Sequence, residues 1–329
     1  MRIGKKHFKT PFWVASSDLV SNKEQAEELV QYGDDLIGSI VWKTTTLEPK
    51  EGYRQPRVCD FYDGFLVASG MKNLGICKTI HEINDFKKKF PEQSVILSIA
   101  SVNFENPEKE FAEMAMLIRD IPTIDGVELN LSCPHQVSGE KYKTELLAQS
   151  PKMVGKITKT VKDIINSDKI LIVKLTGWNT DIVTVSKSAE DNGADAITVS
   201  NIFPGIGYYT GLVKMNNGYS YKIGEPLLGN FKGGYTGLAM LPATLLIVNN
   251  VVNSVNLPVI ATGGCMSSND AMLQAFLAGA SAIASATFYY ESNARNCRNF
   301  LNDLRERKEV FEKFFKDNKR ASMRRLKLE

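Results

Sequence analysis

One cysteine of the sequence stands where a reactive side chain would be useful. The segment LNLSCPHQVSG (residues 129–139) places Cys133 just past an apolar run, between a serine and a proline, and His135 follows. A structural cysteine is usually buried in a core, and a redox pair has a second cysteine two or three residues away. Neither pattern fits this segment, so the role of the thiol has to be inferred from the residues around it.

Two lysines follow apolar segments, where a buried ammonium group needs a partner. Lys43 lies in LIGSIVWKTT (36–45) and Lys174 lies in KILIVKLT (169–176). Two such lysines in one pocket indicate an anionic or electron-rich ligand. The alternative is that each lysine buries only its apolar stem and extends its charge into water.

The candidate residues belong to short apolar segments that alternate with segments of helical spacing. This alternation predicts an α/β fold, a (β/α)₈ TIM barrel, with residues 1–329 forming one domain. The rival fold, a doubly wound sheet, is disfavoured because no strand is followed by GxGxxG. The predicted strands are 12–17, 36–45, 94–101, 126–133, 169–176, 195–201, 257–264 and 281–288. The clearest helical segments are 22–33, 106–121, 150–167, 180–193, 242–255 and 267–280.

Two long connections, residues 46–77 and 202–235, follow the second and the sixth predicted strands. Long loops in compact domains are commonly functional, and the carboxyl ends of barrel strands form the active face. We therefore predict that both insertions cover the mouth of the barrel and exclude water from a pocket there. At the other end of the chain, a basic segment at about 309–329 is predicted to form a helical tail.

A glycine pair predicts a phosphate site at the same face. The segment ATGGCMSSNDA (261–271) passes from the seventh strand into a helix through Gly263 and Gly264. Backbone N–H groups at such a junction bind anions, and barrel phosphate sites often follow strands seven and eight. Thr287 supplies a hydroxyl near the end of the eighth predicted strand, 281–288. The alternative is that the two glycines only form a tight turn.

Composition excludes several classes of function. The net charge of the 329 residues is only +3, with both signs interspersed, so nucleic acid is not an expected partner. No apolar run approaches the ~18 residues of a transmembrane helix, and no signal peptide is predicted. The cysteines form no CxxC pair, so no metal site is predicted, and scattered thiols suit a reducing cytoplasm. These cysteines are Cys59, Cys77, Cys133, Cys265 and Cys297.

Six segments in one order resemble a known family. Over roughly residues 10–290 the chain is similar to the class 1 dihydroorotate dehydrogenases, which are soluble and depend on FMN. The pieces NLSCPH and TVSN also resemble the pyrimidine-reducing domain of dihydropyrimidine dehydrogenase. The segments that carry the main resemblance are KTTTLEPKEGYRQPR (43–57), SGMKNLGI (69–76), ELNLSCPH (128–135), VKLT (173–176), GGYTGLAMLP (233–242) and ATGGCMSSNDA (261–271).

The resemblance implies FMN at the barrel mouth and oxidation of dihydroorotate to orotate, with Cys133 as the base and hydride transfer to flavin N5. It also implies a homodimer, and it leaves open a partner subunit that receives electrons. The implied FMN contacts are Ala15, Ser16, Lys43, Thr44, Asn103, Asn130, Lys174, Gly234, Gly263, Gly264 and Thr287. The implied substrate contacts are Lys43, Ser69, Gly70, Met71, Asn73, Asn130, His135, Asn201 and Ile202.

Two positions depart from the family pattern. Val67 and His135 stand where class 1 enzymes carry asparagines that bind the substrate. Another dihydropyrimidine, of the uracil or thymine type, is therefore an alternative substrate. Two alternatives of other classes are a lyase that forms a Schiff base through Lys174, and a barrel subunit without catalytic activity.

Overall fold

The computed structural model describes residues 1–33, 36–103, 105–132, 146–215, 218–221, 223–266 and 268–286. Cys133, His135 and Thr287 lie outside these ranges, as does the predicted basic tail at about 309–329.

Eight parallel strands close into a barrel, which confirms the predicted fold. Each of the eight falls within one of the predicted strand segments. The strands of the described residues are β1 (Arg2–Ile3), β2 (Lys6–His7), β3 (Phe12–Val14), β4 (Ser39–Thr45), β5 (Val58–Phe61), β6 (Gly64–Val67), β7 (Val95–Ile99), β8 (Gly126–Asn130), β9 (Ile170–Lys174), β10 (Ala196–Val199), β11 (Phe203–Ile206), β12 (Leu212–Met215), β13 (Gly218–Tyr221), β14 (Lys232–Gly237), β15 (Val259–Thr262) and β16 (Ala282–Ser285). Around the barrel the eight strands run in the order β3-β4-β7-β8-β9-β10-β15-β16.

Helices connect the barrel strands, and most begin at a side chain that caps their free N–H groups. Asn106, Ser150, Asp181 and Ser268 each accept a hydrogen bond from a backbone N–H in the first turn of the helix that follows. The helices of the described residues are α1 (Lys23–Gly33), α2 (Ile76–Lys89), α3 (Pro107–Arg119), α4 (Pro151–Ile164), α5 (Ile182–Asp191), α6 (Leu241–Val252) and α7 (Asn269–Leu277).

Helix α2 lies in a segment for which the sequence analysis predicted no helix. Because α2 begins at Ile76, the first insertion ends at Gly75, two residues before its predicted end at residue 77. Its buried face includes Ile76, Ile83 and Phe86, whose spacing suits a helix packed on one side. Among the described residues, no helix is long and apolar enough to cross a membrane.

Alternation along each strand divides the core into two layers. In β9, Leu171 and Val173 pack outward against the helices, whereas Ile170 and Ile172 pack inside the barrel. The same alternation places Lys174, the last residue of β9, on the inner side at the mouth. The strands therefore carry their polar terminal residues into the barrel mouth.

The opposite end of the barrel is closed by apolar side chains from the start of the chain. Met1, Ile3 and Phe8 belong to the interior cluster, and the ring of Phe8 lies 4.7 Å from that of Trp13. A ligand of the barrel therefore has access from the carboxyl ends of the strands.

The two insertions after the second and sixth barrel strands form one shared sheet. Strands β5 and β6 come from the first insertion, β11 and β14 come from the second, and the antiparallel order is β11-β14-β6-β5. The joining contact is between β6 and β14, where Val67 lies opposite Gly234. Leu66, Ala68 and Leu228 form a small core of this sheet.

Candidate active site

Lys174 is a buried cation at the mouth of the barrel. Its residue is 7% exposed, so the alternative of a surface lysine does not hold for it. Its neighbours in register are Asn130 on β8 and Thr198 on β10. No ion pair or hydrogen bond joins its ammonium group to another residue that the structure describes. A buried, uncompensated ammonium group favours an anionic or electron-rich ligand.

Lys43, the other predicted lysine, already has a partner. Its ammonium nitrogen lies 2.8 Å from a carboxylate oxygen of Asp18, and 13% of its side chain is exposed. Asp18 begins a short 3₁₀ helix just after β3, which is the strand next to β4 in the barrel. Sequence analysis missed Asp18 because no local pattern marks the partner of a residue on a neighbouring strand.

Polar side chains from four strand ends meet beside Lys174. Asn130 donates to the Thr44 hydroxyl at 3.2 Å, and Thr44 lies 2.9 Å from the Ser16 hydroxyl. Asn201 donates to the Ser132 hydroxyl at 2.8 Å, and the Ser132 hydroxyl donates to the side-chain oxygen of Asn130 at 3.4 Å. The fold thus brings together predicted site residues that are more than 180 positions apart in the sequence.

The residues that follow β3, the first strand of the barrel, also lie beside these polar side chains. Ala15 is 6% exposed, and its N–H donates to the carbonyl of Ser285 at 2.9 Å. The N–H of Thr44 donates to the Ser16 hydroxyl oxygen at 2.8 Å. Ala15, Ser16 and Thr44 therefore form a continuous edge of the mouth.

The loop from Ser69 to Met71 presents a row of backbone N–H groups. Those of Ser69, Gly70 and Met71 donate to no other residue within the described parts of the chain. Gly70 and Met71 both have positive φ, 62° and 57°, and a Cβ on Gly70 would lie 2.5 Å from the backbone nitrogen of Tyr53. Such strain in a non-glycine residue is common at ligand-binding sites. The row is suited to a carboxylate.

Asn73 holds this loop in place. Its amide donates to the Thr46 hydroxyl and to the Met71 carbonyl, and its oxygen accepts from Thr45 and from the N–H of Gly75. The side chain of Met71 packs with Ala100 and Val102 at the end of β7. Both N–H groups of the Asn73 amide are thus used within the protein, and one of them fixes the Met71 carbonyl.

The side-chain oxygen of Asn103 is also occupied, whereas its NH₂ group donates to no residue that the structure describes. Its oxygen accepts from the N–H groups of Glu105 and Asn106, before α3. The buried carboxylate of Glu110 accepts from the N–H groups of Val102 and Asn103, both at 2.8 Å. Glu110 therefore fixes the loop after β7, and sequence analysis did not identify it.

The turn after β15 has the shape of an anion site. Gly263 and Gly264 have φ of 108° and 74°, and neither N–H donates to a residue in the described ranges. A Cβ on Gly263 would lie 2.9 Å from the hydroxyl of Thr244, which is fully buried and has no partner there. The two unpaired amides at this junction of strand and helix are suited to a phosphate, and the Thr244 hydroxyl is a buried unpaired group packed behind them.

Gly237, the last residue of β14, lies against this glycine turn. A Cβ on Gly264 would lie 2.8 Å from the carbonyl oxygen of Gly237. Gly234, which the resemblance assigns to the FMN site, lies on the shared sheet, where a Cβ would meet the Ile202 side chain at 2.2 Å. Gly237 is therefore the glycine of β14 that packs against the turn, and Gly234 is the one that packs against Ile202.

The described cysteines near the site are not suited to act as bases. Burial raises the pKa of the Cys265 thiol, just after the glycine turn, to about 12. Burial, followed by the charge of Asp60, raises the pKa of Cys59. Cys133 directly follows Ser132, whose hydroxyl lies between the side chains of Asn130 and Asn201.

The closed parallel barrel, with polar side chains gathered at the carboxyl ends of its strands, has the (β/α)₈ architecture whose enzymes carry their active sites at that end. The family described as dihydroorotate dehydrogenase matches residues 1–307. The chain therefore belongs to the dihydroorotate dehydrogenase family and is an oxidoreductase that acts on a CH–CH bond.

Relatives of two kinds match almost the whole chain. The dihydroorotate dehydrogenase B (NAD(+)) catalytic subunit of Streptococcus pneumoniae is 33% identical over 280 residues, 84% of this chain and 83% of that protein. The dihydroorotate dehydrogenase A (fumarate) of Lacticaseibacillus paracasei is 32% identical over 289 residues, 87% of this chain and 90% of that protein. A crystal structure of DHODH from Eimeria tenella in complex with ferulenol has a TM-score of 0.72 and 17% identity, covering 94% of this chain and 85% of that one.

Proposed function

We propose that this chain oxidises dihydroorotate to orotate in pyrimidine biosynthesis and uses FMN as its cofactor. The observation that carries the proposal is the pairing of an unpartnered buried cation, Lys174, with the unpaired amides of residues 69–71 at one barrel mouth. Dihydroorotate has a carboxylate for those amides, and a reduced flavin has negative charge for that cation.

The residues present fit FMN. The Gly263–Gly264 turn, with the Thr244 hydroxyl behind it, would hold the phosphate, and Lys174 would lie against the ring. Bound FMN supplies a hydride acceptor, N5 of its ring. Lys43, Thr44, Ser16, Ala15 and the proposed contact Thr287 would complete the site, with Thr287 outside the described residues.

The protein's own groups handle the substrate and its proton. The amides of Ser69, Gly70 and Met71 would bind the carboxylate, and the side-chain amides of Asn130 and Asn201 would pair with the ring edge, since each offers a donor and an acceptor. Cys133, as thiolate, would take the proton from one ring carbon while the hydride leaves the next, so that two C–H bonds break and one C=C bond forms. His135 would contact the substrate from the same segment.

A second substrate class is favoured by one observation. Val67 lies opposite Gly234 on the shared sheet and offers no polar group to a pyrimidine ring. A dihydropyrimidine without a carboxylate would need fewer polar contacts. The lyase and the non-catalytic barrel are disfavoured, because the family consists of oxidoreductases.

Three electron acceptors suit the proposed reaction: fumarate, NAD through a partner subunit, and a quinone. Relatives named for NAD(+) and for fumarate match with nearly equal identity, 33% and 32%, so identity does not separate these two. We further propose a homodimer in a reducing cytoplasm, which suits the free thiols of Cys59, Cys77 and Cys265.

Anaerobic mixing of the flavin-loaded protein with candidate substrates tests the proposal. Dihydroorotate is expected to bleach the flavin absorbance, whereas dihydrouracil and dihydrothymine bleach it far more slowly. Faster bleaching by either neutral compound would assign the chain to the second substrate class. Protein that binds no flavin would contradict both.

Asp18→Asn is expected to tighten the binding of orotate severalfold. The change keeps the size of the side chain but removes the negative charge 2.8 Å from Lys43, so the mouth becomes more positive. The effect is modest because 35% of the Asp18 side chain is exposed and water screens the pair. Titration of the flavin absorbance with orotate measures it, and raising the ionic strength should reduce the difference. Weaker orotate binding in the variant would show that Asp18 mainly holds Lys43 in position.

A further inference from the structure

A second buried charge lies inside the barrel, one layer below the candidate site. Glu128 is in the middle of β8, and its residue is 2% exposed. Its neighbours in β8, Val127 and Leu129, pack outward, so its side chain points into the barrel, as that of Asn130 does. Within the described chain, no lysine, arginine or histidine pairs with it. Its stability in the barrel must therefore come from hydrogen bonds.

Two hydroxyl groups supply these bonds. The Ser98 hydroxyl donates to one carboxylate oxygen at 3.0 Å, and the Thr198 hydroxyl donates to the other at 3.1 Å. The single proton of each hydroxyl points toward Glu128, whose two side-chain oxygens both accept. The direction of both bonds is therefore fixed.

From Ser98 the hydrogen bonds continue to Thr44 at the mouth of the barrel. The Ser98 oxygen lies 3.0 Å from the Thr44 oxygen, and because Ser98 has already donated its proton, Thr44 must donate to Ser98. Thr44 is then left as an acceptor for the amide of Asn130 at 3.2 Å and for the hydroxyl of Ser16 at 2.9 Å. Every bond of this chain thus runs from the site toward Glu128.

The direction of these hydrogen bonds fixes the orientation of the Asn130 side-chain amide at the site. Because Thr44 can only accept from Asn130, the NH₂ group of Asn130 points to Thr44 and its carbonyl oxygen points to Ser132, which donates to it at 3.4 Å. The two ends of an amide are nearly equal in shape, so a hydrogen-bond network is what selects one orientation.

We propose that Glu128 is a positioning residue of the oxidoreductase site. It orients Asn130 through Ser98 and Thr44, and it places a negative charge beneath the pocket that holds Lys174. The inference rests on the proposed function, since its consequences are measured on bound FMN and orotate.

Three variants separate charge from hydrogen bonding. Ser98→Ala cuts the chain between Glu128 and Thr44 and leaves the carboxylate in place. Glu128→Gln removes the charge and keeps the shape. Thr198→Val is the matched control, because it removes the other hydroxyl bond to Glu128 and leaves the branch to Asn130 intact.

The dissociation constant of orotate and the midpoint potential of bound FMN are measured for each variant. Ser98→Ala is expected to raise the orotate constant about 3- to 10-fold, as for loss of one neutral hydrogen bond, with little change in potential. Glu128→Gln is expected to raise the potential, because an electron pair added to the flavin no longer meets a nearby negative charge. Thr198→Val should alter the orotate constant less than twofold.

The inference is overturned if Glu128→Gln leaves the potential unchanged, or if Thr198→Val weakens orotate binding as much as Ser98→Ala does. If Glu128→Gln does not fold, the comparison of Ser98→Ala with Thr198→Val decides the positioning role. A wild-type protein that binds neither FMN nor orotate contradicts the proposed function itself, whereas normal wild-type binding with unaffected variants contradicts only the role of Glu128.

Discussion

Cys133→Ala is expected to slow the reduction of bound FMN by dihydroorotate about 10²–10⁴-fold while FMN stays bound, the range typical of losing a positioned base. The thiol follows Ser132, whose hydroxyl lies 2.8 Å from the amide nitrogen of Asn201, so the chain enters the Cys133 segment at the candidate site. The alanine variant keeps those contacts and removes only the proton acceptor. Rapid mixing under anaerobic conditions, followed by the flavin absorbance, measures the rate.

Two further variants distinguish the thiol from the histidine nearby. Cys133→Ser is expected to keep part of the rate at high pH, because a hydroxyl can relay a proton once a stronger base is present. His135→Asn is expected to change the affinity for the substrate more than the rate of reduction. The opposite pattern, with a small effect of Cys133→Ala and a lost reaction in His135→Asn, would make His135 the base.

A matched thiol control is available on the surface. Cys77 is exposed in the first turn of α2, and Cys77→Ala is expected to leave the rate of flavin reduction unchanged. A thiol reagent should then inactivate the wild type and the Cys77→Ala variant alike.

Lys174→Ala is expected to weaken FMN binding or slow flavin reduction about 10- to 100-fold. The variant removes the ammonium group of a residue that is only 7% exposed. A hydrogen bond to a charged group contributes about 1.5–3 kcal/mol. Lys174→Arg should restore the effect only in part, because the guanidinium group is larger and planar. Titration of the FMN-free protein with FMN and rapid mixing with dihydroorotate separate the two effects.

An exposed lysine provides the control for this change. Lys187 lies on the outer face of α5, so Lys187→Ala is expected to leave FMN affinity and the rate of reduction unchanged. Equal behaviour of Lys174→Ala and Lys187→Ala would contradict the role of Lys174 at the flavin.

The sequence by itself determined the barrel and the residues at its mouth. Apolar, β-branched segments alternate with helical ones, and this local pattern placed all eight barrel strands. A polar residue that interrupts such a segment marks the end of the strand, which is why Lys174, Asn130 and the Gly263–Gly264 turn could be identified. These features depend on neighbours in the chain.

The tertiary structure decided which of these residues act together. The Lys43–Asp18 pair, the contact of Gly237 with Gly264 and the chain from Asn130 to Glu128 each join different strands or loops. The pairing of the two insertions into one sheet is of the same kind. Such contacts depend on barrel closure and strand register, which set distances between residues far apart in the sequence. The sequence therefore predicts the groups available at the mouth, and only the closed barrel fixes their charge partners and the direction of their hydrogen bonds.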